Sequence, residues 1–181
     1  MEEIEVPLES VLEDLHQHAE HGGQSWLMQA ALMSAVLAVF AAIAALLAGH
    51  YANEAMIEQL KSSNQWSYYQ AKGIKASVLE VKKEVQALLG KGVDEGVEEK
   101  LNEYKKQQQE ISEVATEKEN ESKVHLAQHQ TLARSVTFFQ IAIAITAIAV
   151  LARKKKFLLL SLGFGAIGIF FLIQGYFFES I

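Results

Sequence analysis

The sequence predicts an all-α membrane protein: three transmembrane helices, with a long antiparallel coiled-coil hairpin between the first and the second. Three observations lead there. The apolar residues are gathered into blocks, and Gly22 to Gly49, Ser135 to Ala152 and Phe157 to Phe178 hold no Asp, Glu, Lys or Arg. Between the first two blocks, small and apolar residues recur at alternating spacings of 3 and 4, the period of packed helices. The single proline, Pro7, precedes all of this, so nothing in the sequence stops a helix as it leaves the first block.

Composition narrows the classes further. A net charge of -6, scattered along the chain, excludes the clustered basic surface that a nucleic-acid partner requires. The absence of cysteine excludes a disulfide framework and a thiolate metal site.

Residues 1–24 read as an acidic amphipathic helix. Pro7 lies near its start, and Leu8, Val11, Leu12 and Leu15 recur at helical spacing with Glu9, Glu13 and Asp14 between them. Gly22 and Gly23 end it. Its acidity disfavours anionic lipid, so its apolar stripe is expected to meet protein. The seven acids and lack of Lys or Arg ahead of the first block do not fit a cleavable signal, so that block reads as a retained anchor.

Residues 25–48 form the first transmembrane helix. Trp26 to Ala48 reaches roughly 34 Å at 1.5 Å per residue, enough for a hydrocarbon core of about 30 Å. Ala31, Ala35, Ala38, Ala42, Ala45, Gly49 and Ala52 fall at spacings of 4 and 3. Lipid tails do not require such a row, whereas a closely packed neighbouring helix does, so the row is expected to be a packing seam.

Residues 49–135 form the extramembrane hairpin, with its tip at 90–96, where Gly90, Gly92 and Gly96 surround Val93, Asp94 and Glu95. On the first limb, Ile57, Leu60, Asn64, Ser67, Ala71, Ile74, Val78, Val81, Val85 and Leu88 keep the 3, 4 spacing without a slip and read as its seam. On the second limb the seam is Leu101, Tyr104, Gln108, Ile111, Ala115, Lys118, Ser122, His125 and His129. Folding about Val93 sets Val85 near Leu101, Ala71 near Ala115 and Asn64 near Ser122. Each limb is about 40 residues, or roughly 60 Å. A stalk two helices thick buries only one stripe per helix, so a homo-oligomer, or a protein partner on the stalk, is expected.

Residues 136–152 form the second transmembrane helix. Their alternation of Ile and Ala resembles a strand, but an open strand leaves its backbone unsatisfied in lipid, so helix is expected. Arg153, Lys154, Lys155 and Lys156 make a basic turn at 153–156, and 157–178 is the third transmembrane helix. There Ser161, Gly165, Gly168 and Gly175 share one small-residue face suited to helix packing. Four basic residues in a short loop favour the cytoplasmic side. That places the N-terminus in the cytoplasm and the hairpin on the opposite side. The hairpin's twelve Lys and Arg count little against this, because long loops translocate largely regardless of charge and this one also carries fourteen acids.

Candidate chemistry is sparse. His125 and His129 are four apart on a helix, and folding brings His50 and Glu54 to within about a turn of His129, the outline of a four-ligand metal site. The pair lacks the adjacent Glu of a zinc-protease motif, and histidines at a solvated membrane boundary are commonplace, so no metal site and no cofactor is assigned. Trp66 and Tyr69 are three apart, and Tyr68 sits one turn before Lys72, all roughly 27 Å beyond the first span. That is too far out for an interfacial belt. These side chains fit either a packing layer with a cation-π pair or a contact surface for a partner or second subunit. No phosphate loop, nucleophile elbow, dinucleotide fingerprint or paired-carboxylate cleft is present, so an enzyme is not expected.

At residues 49–55 and 65–76 the runs GHYANEA and QWSYYQAKGIKA resemble the signature of a family of uncharacterised bacterial membrane proteins known only as a domain of unknown function. Asn64 and Ser67 depart mildly from the Asp and Ala commoner there. The resemblance covers most of the chain and implies a bacterial inner-membrane protein, with no activity attached. The expectation is a homo-oligomeric inner-membrane scaffold whose periplasmic stalk organises or docks partner proteins. A second reading is an oligomeric channel or conduit lined by the small-residue first helix. A third is a metal-responsive sensor.

Overall fold

The computed structural model describes residues 25–90, 92 and 95–177. The expected acidic helix at 1–24, with its three histidines, and the tip residues Lys91, Val93 and Asp94 lie outside the described residues, as does Phe178. The described chain is all helical, with α1 at Ser25–Leu88, α2 at Glu95–Leu151 and α3 at Lys156–Phe177. The first two are 64 and 57 residues long and the third is 22. Neither long helix contains a proline, so each passes from its apolar stretch into its polar stretch without a break. All three contain a stretch long and apolar enough to cross a membrane.

The helix ends follow local chemistry. At the end of α1, Gly90 takes the left-handed conformation (φ 66°), which costs glycine little, and its N–H donates to the Ala87 carbonyl. At the end of α2 the same position is filled by Arg153 (φ 51°). The Lys154 N–H reaches back to the Ala149 carbonyl and the Arg153 N–H to that of Val150, which completes a Schellman turn. The basic turn is therefore closed by the backbone.

The chain divides into two compact units, Met1–Ala52 with Leu126–Ile181, and Asn53–His125. In the first unit, Leu37, Ala41 and Ala44 of α1 pack on Phe139, Ala142 and Ile143 of α2, with Phe164 and Leu172 of α3 against them. Small residues on α3 allow this. A Cβ added at Gly165 would come 2.9 Å from Leu37 Cδ2, and one at Gly168 would come 2.8 Å from the Phe139 ring. Buried hydroxyls tie the helices together within this core: Ser135 donates to the Gly168 carbonyl at 2.8 Å, and Ser161 to the Ala142 carbonyl at 2.7 Å. A second cluster joins Trp26, Leu27 and Ala30 to Val150.

The second unit is an antiparallel helical hairpin, and here the structure corrects the sequence reading. The second limb turns inward as expected, with Leu101, Ile111, Ala115 and Ser122 buried. The first limb does not. Its buried residues are Ala55, Glu58, Ser62 and Ala76, with Gln65, Tyr69, Lys72, Leu79, Lys83 and Gln86 partly covered at the same 3, 4 spacing. The expected seam from Ile57 to Leu88, two residues out of phase, is exposed throughout.

The register shifts with it. The Ser122 hydroxyl donates to the Ala55 carbonyl at 2.8 Å, and the Ser62 hydroxyl to the Ala115 carbonyl at 2.9 Å. Ser122 therefore faces Ala55 instead of Asn64, and Ala115 faces Ser62 instead of Ala71. The physical reason is close approach. Alanine and serine let the two backbones come near enough for a side-chain hydroxyl to reach across to a carbonyl, which a row of Ile and Val would prevent.

Candidate interaction surface

The outer face of the first limb follows directly from that inward row. Leu60 is 59% exposed, Ile74 67%, Val78 62% and Val81 57%, and Ile57, Val85 and Leu88 lie on the same line. Asn64, Ser67 and Ala71 fill its middle and are also exposed. Scattered apolar side chains on a surface are ordinary; here they fall in two runs on one helix face, Ile57 with Leu60 and Ile74 to Leu88, separated by Asn64, Ser67 and Ala71. Beside Ile74, Val78 and Val81 the surface sinks into an open groove of about 660 Å³, bordered by Tyr69, Gly73 and Gln108. Gly73 is what lets Gln108 sit there. A Cβ added at Gly73 would fall 2.8 Å from the Gln108 amide nitrogen, which donates to the Tyr69 carbonyl at 3.4 Å.

The aromatic residues border this face. Trp66 and Tyr69 meet edge to face at 5.5 Å, and both are half-buried, while Tyr68 is exposed. The Lys72 ammonium lies 5.1 Å from the centroids of both Tyr68 and Tyr104, so the expected cation-π pair includes a ring from the other limb. That third member was hidden in the sequence because it depends on hairpin register.

A partly buried ionic cluster lies lower on the hairpin. Glu58 is buried on the inward row, where its Oε1 accepts from Lys61 at 2.6 Å and its Oε2 lies 3.4 Å from the Lys118 ammonium. Lys118 is shared with Glu121 at 2.6 Å. The Lys61 hydrogen bond, against an opposing desolvation, holds the Glu58 carboxyl below its ordinary range, and Lys118 attracts it in the same sense. The hydrogen bond to Glu121 raises Lys118 in turn. No sequence motif signals this cluster; it forms because Glu58 lies on the inward row.

The remaining candidate residues are dispersed. His129 Nδ1 is 2.9 Å from the Ala48 carbonyl, and since a carbonyl only accepts, that nitrogen carries the proton. His50 is exposed and its ring lies against Tyr51, while Glu54 and His125 are half-buried. Among the described residues no three His, Asp or Glu side chains gather in a group able to hold a metal ion. Of the expected small-residue seam on α1, Ala31 is buried, Ala35, Ala38 and Ala52 are half-buried, and Ala42, Ala45 and Gly49 are exposed; beyond Ala31, packing within the chain uses the row one residue earlier, Ser34, Leu37, Ala41, Ala44 and Ala48. Gly165 and Gly168 do pack closely, against side chains of their own chain. Arg153, Lys154, Lys155 and Lys156 are all exposed, with the Lys155 ammonium 5.9 Å from the Trp26 ring.

Among the described residues these features define an all-helical chain with three helices long and apolar enough to span a membrane, and a hairpin unit that leaves apolar side chains uncovered on one face. Residues 26–178 match the family model described as Domain of unknown function (DUF4337), and the chain belongs to that family. No curated protein and no solved structure matches the chain.

Proposed function

We propose that this chain is a homo-oligomeric scaffold of the bacterial inner membrane, anchored by three transmembrane helices, whose hairpin stands in the periplasm and organises partner proteins. The observation that carries the reading is the exposed apolar face of the first limb, from Ile57 to Leu88 with a polar interruption at Asn64 and Ser67, on a segment whose eight Lys and Glu residues are unsuited to lipid. Surfaces of that kind are held in solution by another protein surface. The basic residues at 153–156 support a cytoplasmic turn and hence a periplasmic hairpin. Among the described hairpin residues, the groove beside Val78 is lined by Tyr69, Ile74, Val78 and Val81 together with Gln70, Ser77 and Gln108, and no acid, base or nucleophile triad borders it.

The native mass of the full chain in a mild detergent tests this. A dimer to tetramer of the 20.1 kDa chain supports the scaffold. A monomer overturns it. A closed ring of more copies, with ion flux in proteoliposomes, replaces it with a conduit lined by the face of α1 that carries Ala42, Ala45 and Gly49.

A further inference from the structure

We infer that the outer line of the first limb is the face on which a second copy of this chain docks, parallel and in register, so that Asn64 meets the Asn64 of the second copy. This rests on the scaffold reading and names the contact that builds its oligomer. The line lies two residues on from the inward row, about 200° around the helix, so the chain's own second limb packs on the opposite side. From Ile57 to Leu88 it runs roughly 47 Å, or about 4.5 heptads, a length over which two helices form a stable seam.

Its residue types fit a pair of identical helices. Taking Ile57 as position a of a heptad, the a positions are Ile57, Asn64, Ala71, Val78 and Val85, and the d positions are Leu60, Ser67, Ile74, Val81 and Leu88. Ile57 with Leu60 and Val85 with Leu88 carry the β-branched a and leucine d pattern of two parallel strands; Ile74 and Val81 at d do not, so strand number rests on Asn64. A single Asn at an a position fixes register and strand number, because each amide finds its partner only in the same residue of the other helix. Asn64 is exposed here and available for that role.

The flanks choose the direction. On one side of the line lie Lys61, Lys75 and Lys82, all exposed, and on the other Ser63, Gln70, Ser77 and Glu84. A parallel pair sets the lysine side of one helix against the Ser, Gln and Glu side of the other. An antiparallel pair sets lysines against lysines, a like-charge juxtaposition. Two copies inserted the same way in one membrane also meet in parallel.

The chain has no cysteine, so single substitutions in the full-length protein report the contact without interference. After oxidation in liposomes, Val78→Cys and Val81→Cys are expected to lose their monomer band to a covalent dimer, while Lys106→Cys, on the exposed face of the second limb, stays monomeric. Asn64→Val is expected to tighten association and broaden the native mass to larger species. Equal crosslinking at residues 78, 81 and 106 would overturn the inference. So would crosslinks that appear only when Val78→Cys is mixed with a cysteine near the tip or base, which would mean an antiparallel pair. An oligomeric mass with residues 78 and 81 silent leaves the scaffold standing and removes this contact. A monomeric mass removes both.

Discussion

The two limbs of the hairpin share a turn and a packing seam, yet they differ in what they turn outward. The second limb buries Val97, Leu101, Ile111, Ala115 and Ser122, and its outer face carries Glu98, Glu99, Lys100, Glu103, Lys105, Lys106 and Glu110, all exposed. Water covers such a face well. The first limb buries small and polar residues and turns Ile57, Leu60, Ile74, Val78, Val81, Val85 and Leu88 outward. In the proposed dimer, the limb that turns its more apolar row outward meets the second copy, and the charged face of the other limb stays in water. Under that proposal, inward packing within one chain and packing between copies use opposite faces of one helix.

The largest effect that would break this contrast is a charge placed on the outer line. Val78→Glu with Val81→Glu should weaken association about 100-fold or more, because each carboxylate is left unpaired in the contact, as concentration-dependent native mass would show. Helix content of the isolated chain should not change, since both positions are exposed. Next in size is overpacking of the inward row. Ala115 is fully buried, so Ala115→Leu should cost the hairpin about 1–3 kcal/mol in thermal or denaturant unfolding. The same change at exposed Ala87 should stay within about 0.5 kcal/mol.

A smaller effect is expected from the hydroxyl bridges. Ser122→Ala removes the cross-limb donor to the Ala55 carbonyl, which keeps its own helical hydrogen bond, and should cost about 1 kcal/mol, seen as faster amide exchange near the lower hairpin. The pH dependence is the most diffuse. Glu58 is held below its ordinary value of 4.5, so its contribution to stability is full above that pH and is lost as pH falls through the lower folded value. Lys118 works in the other direction: its contribution is present below 10.5 and is lost as pH climbs through its raised value. Glu58→Gln should flatten the acid limb of a stability-against-pH curve and reduce the alkaline limb by less, because Lys118 is raised first by Glu121 and only secondarily by Glu58. An unchanged acid limb would remove Glu58 from the account.

Much of the architecture is legible in the sequence, and the misreading is informative. The three apolar blocks, the long unbroken helices and the second limb's seam all follow from periodicity and from the absence of proline. Ser161, Gly165, Gly168 and Gly175 were legible as one packing face because glycine has few other reasons to recur at that spacing, and all four are buried. The first limb misled because it carries two rows at 3, 4 spacing, and sequence logic assigns the more apolar one inward. The inward row is instead Ala55, Glu58, Ser62, Tyr69 and Ala76, whose value lies in backbone proximity and carbonyl acceptance, neither of which hydrophobicity measures. The Glu58 cluster and the Tyr104 contact with Lys72 were illegible for the same reason, since both depend on a register that differs from the apolar alignment.

The most direct test of the central claim is the distance between copies at residue 81. Spin labels on Val81→Cys, in the full chain reconstituted in liposomes, should show strong dipolar coupling at a shorter separation than labels on Lys106→Cys. Absent coupling at residue 81, or a shorter distance at 106 than at 81, would contradict the assignment of the first limb's outer face to a second copy.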